Sequence, residues 1–470
     1  MSSTSIGKQV FQEFEADRCR VDAEALVTWA SDPWGMCPGA AAAVLLPRTV
    51  SDVSDMVRYC LAHGIGLVPQ GGNTGLTSAA TPDASGSQVI LSLARLNKIR
   101  EIDAVNYTMT VEAGCILAKA QGAAAAQQRL FPPSFGAEGS CQIGGILSTN
   151  AGGHNVLRYG NTRDLVLGLE VVLADGTVWN GLRKLRKDNT GYDLKQLFIG
   201  AEGTLGVITA AVFKLFPEVH CVQTLIAALP SLDVVPQLLS YARESSGDAL
   251  SAFEIIPRRL IDLHQQHLGS IQCVPAGGSD WFALLEFSGN RTQEALEQNV
   301  QFFLEQAFEK DLILDASLAR SMAQRQEMWR LRDGVAEAQV KNGQVLYFDV
   351  SVPVSQTPAF IRSANQALKA WDPQVDINAF GHAGDGNIHY NLLQPAGCTA
   401  QEFIARKPHY ERIVYEIVAQ MDGSFSAEHG IGQAKVGHMR QAKSPIELDL
   451  MRRIRAAISN PQLNPGKLIP

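Results

Sequence analysis

Two histidines stand close together in the segment Gly381-His382-Ala383-Gly384-Asp385-Gly386-Asn387-Ile388-His389-Tyr390-Asn391. Asp385-Gly386 is a strong signal for a two-residue β-hairpin turn, and a turn there would place His382 opposite His389 on one face. Opposed Cβ atoms lie about 4.5–5.5 Å apart, a spacing at which two imidazoles can hold one metal ion. Hydrogen-bonded structural histidines are the alternative interpretation.

A candidate third ligand lies in Ser426-Ala427-Glu428-His429-Gly430-Ile431-Gly432. Two histidines and the carboxylate of Glu428 would leave coordination positions open for a substrate, which fits zinc or another divalent transition ion. His429 could then act as a general base, because imidazole titrates near neutral pH. The sequence does not by itself bring this segment to the histidine pair.

Two glycine-rich segments indicate a second kind of site, one that binds a ligand through the backbone. Pro69–Leu76 follows a predicted strand that ends at Val68, and Gly139–Gly153 is long and poor in large apolar side chains. Adjacent glycines allow the backbone to approach a ligand, and such a nest of N–H groups suits a pyrophosphate. A plain tight turn is the alternative for the first segment. The Rossmann and P-loop fingerprints are both absent, so the sequence does not support either of those nucleotide sites.

The elements that must position these residues form two patterns. Residues 39–68 predict strand, helix and strand, and 89–215 is rich in strands, with a hairpin turn at Asp175-Gly176. A composition break falls near Pro217. Beyond it, the predicted helices Gln293–Lys310 and Leu318–Lys341 alternate with separated strands, and 446–459 predicts one more helix. Long helices mixed with separated strands are typical of an α+β domain.

Composition narrows the class of protein. The chain has 470 residues, a net charge of -7, 46% hydrophobic and 19% charged residues, which predicts a folded protein of two to four domains. The densest basic run, Arg183-Lys184-Leu185-Arg186-Lys187, is interpreted as an exposed loop, and the charge balance disfavours nucleic-acid binding. The eight cysteines form no C-x-x-C pair, so a cytoplasmic location is the simplest expectation. Neither a signal peptide nor a transmembrane segment is expected.

Four separated motifs carry a family resemblance: Pro69–Leu76, Gly139–Gly153, Leu157–Gly160 and Gly191–Gly206. In this order they resemble the FAD-binding domain of vanillyl-alcohol-oxidase-type (PCMH) flavoproteins, over roughly residues 40–215. The resemblance implies FAD bound without a Rossmann fold, and non-covalently, because the first loop carries Asn73 and no histidine. The FAD contacts that it implies are Pro69, Gly71, Gly72, Asn73, Thr74, Gly75, Gly139, Ser140, Gly144, Gly145, Ser148, Asn150, Gly152, Gly153, Gly206, Ile208 and Asn464.

With the histidine segments included, about 40–470 resembles the branch that contains the D-lactate and D-2-hydroxyglutarate dehydrogenases and the glycolate oxidase flavin subunit. That resemblance implies FAD-dependent oxidation of a D-2-hydroxy acid to the 2-oxo acid, with the hydride passing to flavin N5. The positions that match the family's site are His382, His389 and Glu428 as metal ligands, His429 as general base, and Arg332, Asn391 and Tyr347 near the substrate.

Two positions depart from the D-2-hydroxyglutarate enzymes, which carry a threonine and a lysine where this chain has Ala336 and Tyr347. The missing lysine favours a less charged or bulkier substrate, with D-lactate the simplest candidate. An oxidase that uses oxygen, a non-catalytic flavin- or metal-binding protein and a nicotinamide-linked dehydrogenase are the alternative functions.

The expected architecture follows from the resemblance. It is an α+β chain with a PCMH-type FAD-binding domain over 1–217, an α+β cap domain with an antiparallel sheet over 218–425, and a C-terminal segment, 426–470, that returns to the FAD domain. The expected partners are a small 2-hydroxy acid, an electron acceptor (electron-transferring flavoprotein, quinone or cytochrome) and a second copy of the chain in a homodimer.

Overall fold

A computed structural model describes residues 3–32, 35, 37–276, 278–290 and 292–469. The chain divides into two units. The first unit comprises residues 1–152, 160–218 and 428–470, and the second comprises 153–159 and 219–427. Each contains both helices and sheets, which confirms the predicted α+β class.

The first unit begins with the predicted strand, helix and strand. Ala41–Leu45 and Leu67–Gln70 both pair in parallel with Gln88–Ser92, which lies between them. The helix Val50–Ala62 connects Ala41–Leu45 to Leu67–Gln70 and starts at a capping box between Thr49 and Asp52. Its apolar face packs on the sheet, so this part of the sequence interpretation is confirmed.

A second, antiparallel sheet follows in the same unit. Its strand order places Val207–Lys214 at the centre, between Thr108–Glu112 and Val166–Val172. The predicted hairpin at Asp175-Gly176 is confirmed, because Val172 pairs with Val178 across it. The strands of the first unit are Cys19–Arg20, Ala41–Leu45, Leu67–Gln70, Gln88–Ser92, Ile99–Asp103, Thr108–Glu112, Arg129–Leu130, Val166–Val172, Val178–Gly181, Val207–Lys214 and Phe216–Pro217.

The C-terminal residues complete the first sheet of this unit. Leu463 is fully buried and forms a parallel bridge with Leu67, whose amide donates to Gln462. The helices of the first unit are Ser3–Arg18, Ala23–Ala30, Val50–Ala62, Leu117–Ala125, Ile143–Thr149, Thr162–Leu165, Lys195–Phe198, Val436–Ala442 and Pro445–Ile458.

The second unit contains two antiparallel four-stranded sheets. Its strands are Cys221–Leu229, Leu250–Pro257, Trp281–Gly289, Asp315–Leu318, Val345–Leu346, Asp349–Ser351, Asp376–Phe380 and Asn387–Leu393. Its α-helices are Val156–Tyr159, Val235–Ser246, Arg258–Leu268, Gln293–Glu309, Met322–Asn342, Thr357–Trp371, Ala400–Ala405 and Lys407–Gln420. Among the described residues of the chain, none of the helices combines the length and apolarity needed to cross a membrane.

One predicted helix starts later than expected. Leu318 is the last residue of a strand that pairs with Leu225, and the helix begins at Met322. Ser321 caps it by accepting a hydrogen bond from the amide of Gln324. The predicted start at Leu318 was therefore wrong, because strand pairing and the serine cap set the boundary.

The predicted register of the histidine hairpin was also wrong. The strand Asp376–Phe380 pairs with Asn387–Leu393 so that Phe380, not His382, lies opposite His389. The physical reason is Gly381, whose φ of 126° lies in the region that favours glycine and turns the chain out of the strand. Gly381 then exchanges both backbone hydrogen bonds with Ile255. The connection between the strands is thus longer than a two-residue turn.

Candidate active site

The two histidines of the hairpin remain close despite the changed register. The ring centroids of His382 and His389 lie 5.2 Å apart at an interplanar angle of 75°. Nδ1 of His382 lies 2.5 Å from Oε1 of Glu254, and Nδ1 of His389 lies 3.9 Å from Oδ1 of Asp349. A carboxylate on one ring nitrogen is the usual outer-shell partner of a metal-binding histidine, and it makes Nε2 the nitrogen that can bind the metal.

Glu254 joins the histidine to the predicted substrate-binding arginine. The Nε atom of Arg332 donates to Oε2 of Glu254 over 2.6 Å, and both side chains are buried. Burial alone would raise the pKa of the Glu254 carboxyl, but Arg332 and His382 hold it well below its ordinary value. Glu254 is therefore an anion that fixes both neighbours.

The Arg332 guanidinium keeps unused donor capacity. Its Nη2 atom is buried and has no hydrogen-bond partner among the described residues. An unsatisfied buried donor costs about 1–3 kcal/mol, so such an atom calls for a ligand or an ordered water. A carboxylate is the group that a guanidinium binds best. The second unit thus has a position for an anionic group beside His382.

A third histidine lies in this cluster. His154 follows Gly153 in the short piece of chain that belongs to the second unit, and its ring centroid is 5.6 Å from that of His382 and 4.8 Å from that of Trp329. Burial lowers the pKa of His154 to about 3. Sequence reasoning found no partner for His154, because its neighbours come from distant parts of the chain.

Two other residues predicted to lie near the substrate, Asn391 and Tyr347, differ in their exposure. Asn391 is buried two positions after His389, on the same face of the strand, and its Nδ2 donates to Oε1 of Gln339 over 2.8 Å. Tyr347 is 42% exposed in the connection between two strands, and burial of part of its ring raises the pKa of its hydroxyl. Their contact with a substrate stays a prediction.

Glu428 and His429 begin the C-terminal part of the first unit. Nε2 of His429 lies 3.8 Å from Oε1 of Glu428, and the backbone carbonyl of His429 accepts a hydrogen bond from Oγ1 of Thr77. The preceding residue, Ala427, donates its amide to the carbonyl of Asp349 in the second unit. The residue before Glu428 is therefore hydrogen-bonded to the strand that pairs with His389.

A carboxylate missed by sequence reasoning holds the loop behind His429. Glu202 is 4% exposed and accepts hydrogen bonds of 2.7 Å from the amides of Ile431 and Gly432. Burial raises the pKa of Glu202, while these two amides favour its charged form. The available signal was its place in Gly200-Ala201-Glu202-Gly203, within a motif that already pointed to FAD.

A groove in the first unit fits the predicted FAD site. The predicted contacts that line it are Pro69, Gly71, Gly144, Gly145, Ser148, Gly206 and Ile208. Residues that line it without having been predicted include Gln70, Ala79, Thr149, Glu202 and Gly203. Residues of both predicted glycine segments thus line one groove.

The backbones of the two glycine segments approach each other so closely that a side chain would not fit at Gly72. A Cβ atom on Gly72 would lie 2.2 Å from the carbonyl oxygen of Ser140, whereas one on Gly145 would point into open space. Oε1 of Gln142, between these residues in sequence, is buried without a hydrogen-bond partner among the described residues. A tight cradle with open space and an unsatisfied polar atom fits a cofactor such as FAD.

The side chains of several residues predicted to contact FAD form hydrogen bonds with the protein's own backbone. Nδ2 of Asn73 donates to the carbonyl of Ser31, and Oδ1 of Asn150 accepts from the amide of Arg163. Nδ2 of Asn464 donates to the carbonyls of Ala79 and Glu202, while its Oδ1 is buried without a partner in the described chain. The predicted contacts outside the groove lining are Gly72, Asn73, Thr74, Gly75, Gly139, Ser140, Asn150, Gly152, Gly153 and Asn464.

Comparison with known proteins assigns the class. Residues 41–181 match the FAD binding domain family, and 220–468 match the family described as FAD linked oxidases, C-terminal domain. The chain therefore belongs to the FAD-linked oxidases, and it is an FAD-dependent oxidoreductase. The predicted relationship is confirmed.

Three relatives from distant organisms share one activity in their names. The chain is 39% identical to D-2-hydroxyglutarate dehydrogenase, mitochondrial, of Bos taurus, covering 92% of this chain and 77% of the relative. It is 37% identical to the probable enzyme of that name from Oryza sativa subsp. indica, covering 98% and 81%. It is 34% identical to D-2-hydroxyglutarate dehydrogenase of Stutzerimonas stutzeri, covering 97% and 96%.

Solved structures with the same fold have low sequence identity. p-Cresol methylhydroxylase with substrate bound matches with a TM-score of 0.76 at 18% identity, covering 98% of this chain and 96% of that one. 4-Ethylphenol oxidase from Gulosibacter chungangensis matches with a TM-score of 0.74 at 18% identity, covering 99% and 97%. These likenesses confirm the predicted PCMH-type fold.

Proposed function

We propose that this chain oxidises a D-2-hydroxy acid to the corresponding 2-oxo acid. The observation that carries the proposal is the buried cluster in which Glu254 fixes both Arg332 and His382 while Nη2 of Arg332 lacks a partner. It offers a position for a carboxylate beside an imidazole that could help to hold a metal ion. The names of the relatives, all D-2-hydroxyglutarate dehydrogenases, support the same chemistry.

We propose that His382, His389 and Glu428 hold a divalent metal, zinc being the best match to two imidazoles and one carboxylate. The separation of the two rings and the carboxylate on His382 support this set. Such a metal supplies Lewis acidity that lowers the pKa of the substrate hydroxyl. Glu254 and Asp349 would orient the two imidazoles from behind.

We propose that His429 removes the hydroxyl proton at Nε2. Imidazole is a suitable base near neutral pH, and the backbone that follows the His429 side chain is anchored, by Thr77 at the His429 carbonyl and by Glu202 at the next amides. Arg332 would bind the substrate carboxylate through its unsatisfied nitrogen, and Asn391 would contact the same substrate. These contacts orient C2 for loss of its hydrogen.

FAD, when bound, supplies the acceptor for the hydrogen that leaves C2 as hydride. The groove lined by the glycine segments would hold FAD. Asn73 supports non-covalent attachment of the cofactor, because its amide is not a nucleophile and its Nδ2 donates a hydrogen bond to the carbonyl of Ser31. Gly145 and Gly71 let the cofactor lie against the backbone.

D-2-Hydroxyglutarate and D-lactate are the two candidate substrates. The names of the relatives favour D-2-hydroxyglutarate, whereas Ala336 and Tyr347 favour a substrate without a second carboxylate, such as D-lactate. Among the described residues of the buried cluster around Glu254, Arg332 is the one permanent cation. One cation suits one carboxylate, which supports the D-lactate type.

The experiment that tests the proposal replaces the base. His429→Ala is expected to slow substrate-dependent bleaching of the flavin by about 10²–10⁴-fold while leaving the flavin absorption of the purified protein intact. His63→Ala, which removes an exposed histidine of the same unit, is the matched control and should bleach as fast as the unmodified protein. Equal bleaching by the His429→Ala variant would refute the assigned role.

A further inference from the structure

The basic run Arg183–Lys187 lies in an extended loop, 182–194, which joins the strand Val178–Gly181 to the helix Lys195–Phe198. We call residues 182–194 the basic loop. It borders a cavity of about 700 Å³ within the first unit. The charged residues that line this cavity are Arg163, Arg183, Arg186, Lys187, Lys195 and Lys214, with Asp164, Asp188 and Asp193. Positive charge thus gathers in a chain whose net charge is -7.

Some of these cations hold the cavity in shape. Arg163 donates to the carbonyls of Gln196 and Ile199, and Nζ of Lys195 lies 2.6 Å from Oδ1 of Asp193. Nζ of Lys214 donates to the backbone carbonyl of Asp164. These contacts hold the C-terminal end of the basic loop and the cavity wall beside it. In the middle of the loop, Lys184 pairs with Glu101, and Arg186 donates to the carbonyl of Asn106.

The middle of the basic loop is exposed. The side chains of Arg183, Arg186 and Lys187 are exposed, and among them Leu185 is 56% and Tyr192 95% exposed. Arginine and tyrosine are the residues most enriched at the energetic centres of protein interfaces. A loop that exposes one tyrosine and three cations therefore has the composition of a surface that binds a protein with acidic groups.

The cavity bordered by the basic loop lies close to the FAD groove, because Arg163 of the cavity contacts residues that are near the groove lining in sequence. Ile199, whose carbonyl accepts from Arg163, precedes Glu202 by three residues, and Glu202 lines the groove. Three residues span at most about 11 Å. Asn150 also accepts from the amide of Arg163, and the adjacent Thr149 lines the groove. Arg163 of the cavity lining thus contacts two residues that lie one to three positions in sequence from the groove lining.

We propose that the basic loop is the docking surface for an acidic one-electron carrier protein that reoxidises the flavin. The proposal rests on the proposed function, because substrate oxidation is what reduces the flavin. Two electrons and one proton leave the reduced cofactor. Each of two carriers gains one electron at its redox centre, and the proton passes to solvent. A positive patch steers an acidic partner that the net charge of the chain would otherwise repel.

Cytochrome c provides a matched pair of probes. Native cytochrome c is basic, and the same protein after succinylation of its lysines is acidic. We expect the purified, flavin-loaded protein to bind succinylated cytochrome c at about 20 mM salt, and at least about tenfold more weakly at about 200 mM. Native cytochrome c should bind more weakly than the succinylated form at low salt. Isothermal titration calorimetry measures both without any substrate.

Charge reversal locates the site. The triple variant Arg183→Glu, Arg186→Glu, Lys187→Glu should lose binding of succinylated cytochrome c and gain binding of the native form. The control, Lys8→Glu, Lys98→Glu, Arg440→Glu, makes the same change in net charge at exposed positions of the first unit and should keep the original preference. Equal effects of the two triple variants, or none from the first, would overturn the proposal.

Two further measurements separate this inference from the proposed function. Tyr192→Ala should weaken binding of succinylated cytochrome c without changing its salt dependence, since the ring carries no charge; unchanged affinity would count against the tyrosine as part of the surface. Reduction of a small dye acceptor by substrate should be equal in all these variants. Absence of dye reduction even in the unmodified protein would refute the proposed function and leave the calorimetric result standing.

Discussion

Nε of Arg332 and Oε2 of Glu254 lie 2.6 Å apart in the interior of the second unit, and the other carboxylate oxygen of Glu254 lies 2.5 Å from Nδ1 of His382. A single buried carboxylate therefore orients both the residue proposed to bind the substrate carboxylate and a proposed metal ligand. The two roles are coupled through Glu254, and removing it should disturb both.

Glu254→Gln should destabilise the protein and weaken metal binding together. Removing one partner of a buried ion pair costs about 3–5 kcal/mol, and loss of an outer-shell carboxylate lowers metal affinity about 10–100-fold. Urea unfolding and metal analysis after dialysis measure the two effects. Glu286→Gln is the matched control, because the Glu286 carboxylate accepts from Arg325, Trp329 and Thr224 rather than from a proposed metal ligand. It should lower stability alone; loss of metal in the control would contradict the coupling.

Alanine substitutions at the adjacent residues Gly144 and Gly145 should have opposite effects on the stability of the apoprotein. A Cβ on Gly144 would lie 2.9 Å from the Cβ of Ala113, so Gly144→Ala should destabilise the apoprotein. A Cβ on Gly145 meets open groove, and alanine is the better helix former by about 1 kcal/mol. Gly145→Ala should therefore keep or raise apoprotein stability and lower FAD affinity. Thermal unfolding and flavin titration distinguish them, and normal FAD affinity of Gly145→Ala would place the cofactor elsewhere.

Glu202→Gln should reduce catalysis through the loop that follows His429. The charged carboxylate accepts two short amide hydrogen bonds, and the neutral amide group offers one oxygen for them. We expect kcat with a dye acceptor to fall at least about tenfold, since small displacements of a base have large effects on rate. Gly430→Ala should behave alike, because its Cβ would lie 2.7 Å from Oε1 of Glu202. An unchanged kcat in both variants would exclude this positioning role.

Lys467 gives a prediction for pH dependence. It is fully buried, and burial lowers its pKa to about 8 from an ordinary value of 10.5. Between these values the unfolded chain binds more protons than the folded one, so stability rises with pH in that window. The penalty for burying the charge is largest below pH 8, at about 3 kcal/mol. The stability of Lys467→Met relative to the unmodified protein should thus be greatest near pH 7 and decrease by pH 10.5. A difference independent of pH would contradict the shift.

Much of the fold was predictable from local signals. The strand, helix and strand of residues 39–68, the turn at Asp175-Gly176 and the glycine segments each have signals within a few residues, and the structure has the corresponding elements. The start of the helix at Met322 was not predictable in this way, because a strand partner distant in sequence, Leu225, determines where the preceding strand ends.

The sequence predicted the site residues that lie close together in the chain and are of types that bind metals. It did not predict the residues whose role depends on partners that are distant in sequence. His382 and His389 were identified together, although their register depended on pairing of Gly381 with Ile255. Glu254 and Glu202 were missed because an isolated glutamate carries no local signal. Each is recognised through partners, Arg332 and the amide of Ile431, that lie far away in the chain.

The central claim concerns the reaction, and one measurement tests it most directly. Purified, flavin-loaded protein is mixed anaerobically with the D and L enantiomers of lactate and of 2-hydroxyglutarate, and the flavin absorbance is followed. The account predicts rapid bleaching by at least one D enantiomer, slow or no bleaching by its L partner, and loss of the D reaction after chelation and its return with zinc. Absence of bleaching by every D acid, or bleaching that a chelator leaves unchanged, would contradict it.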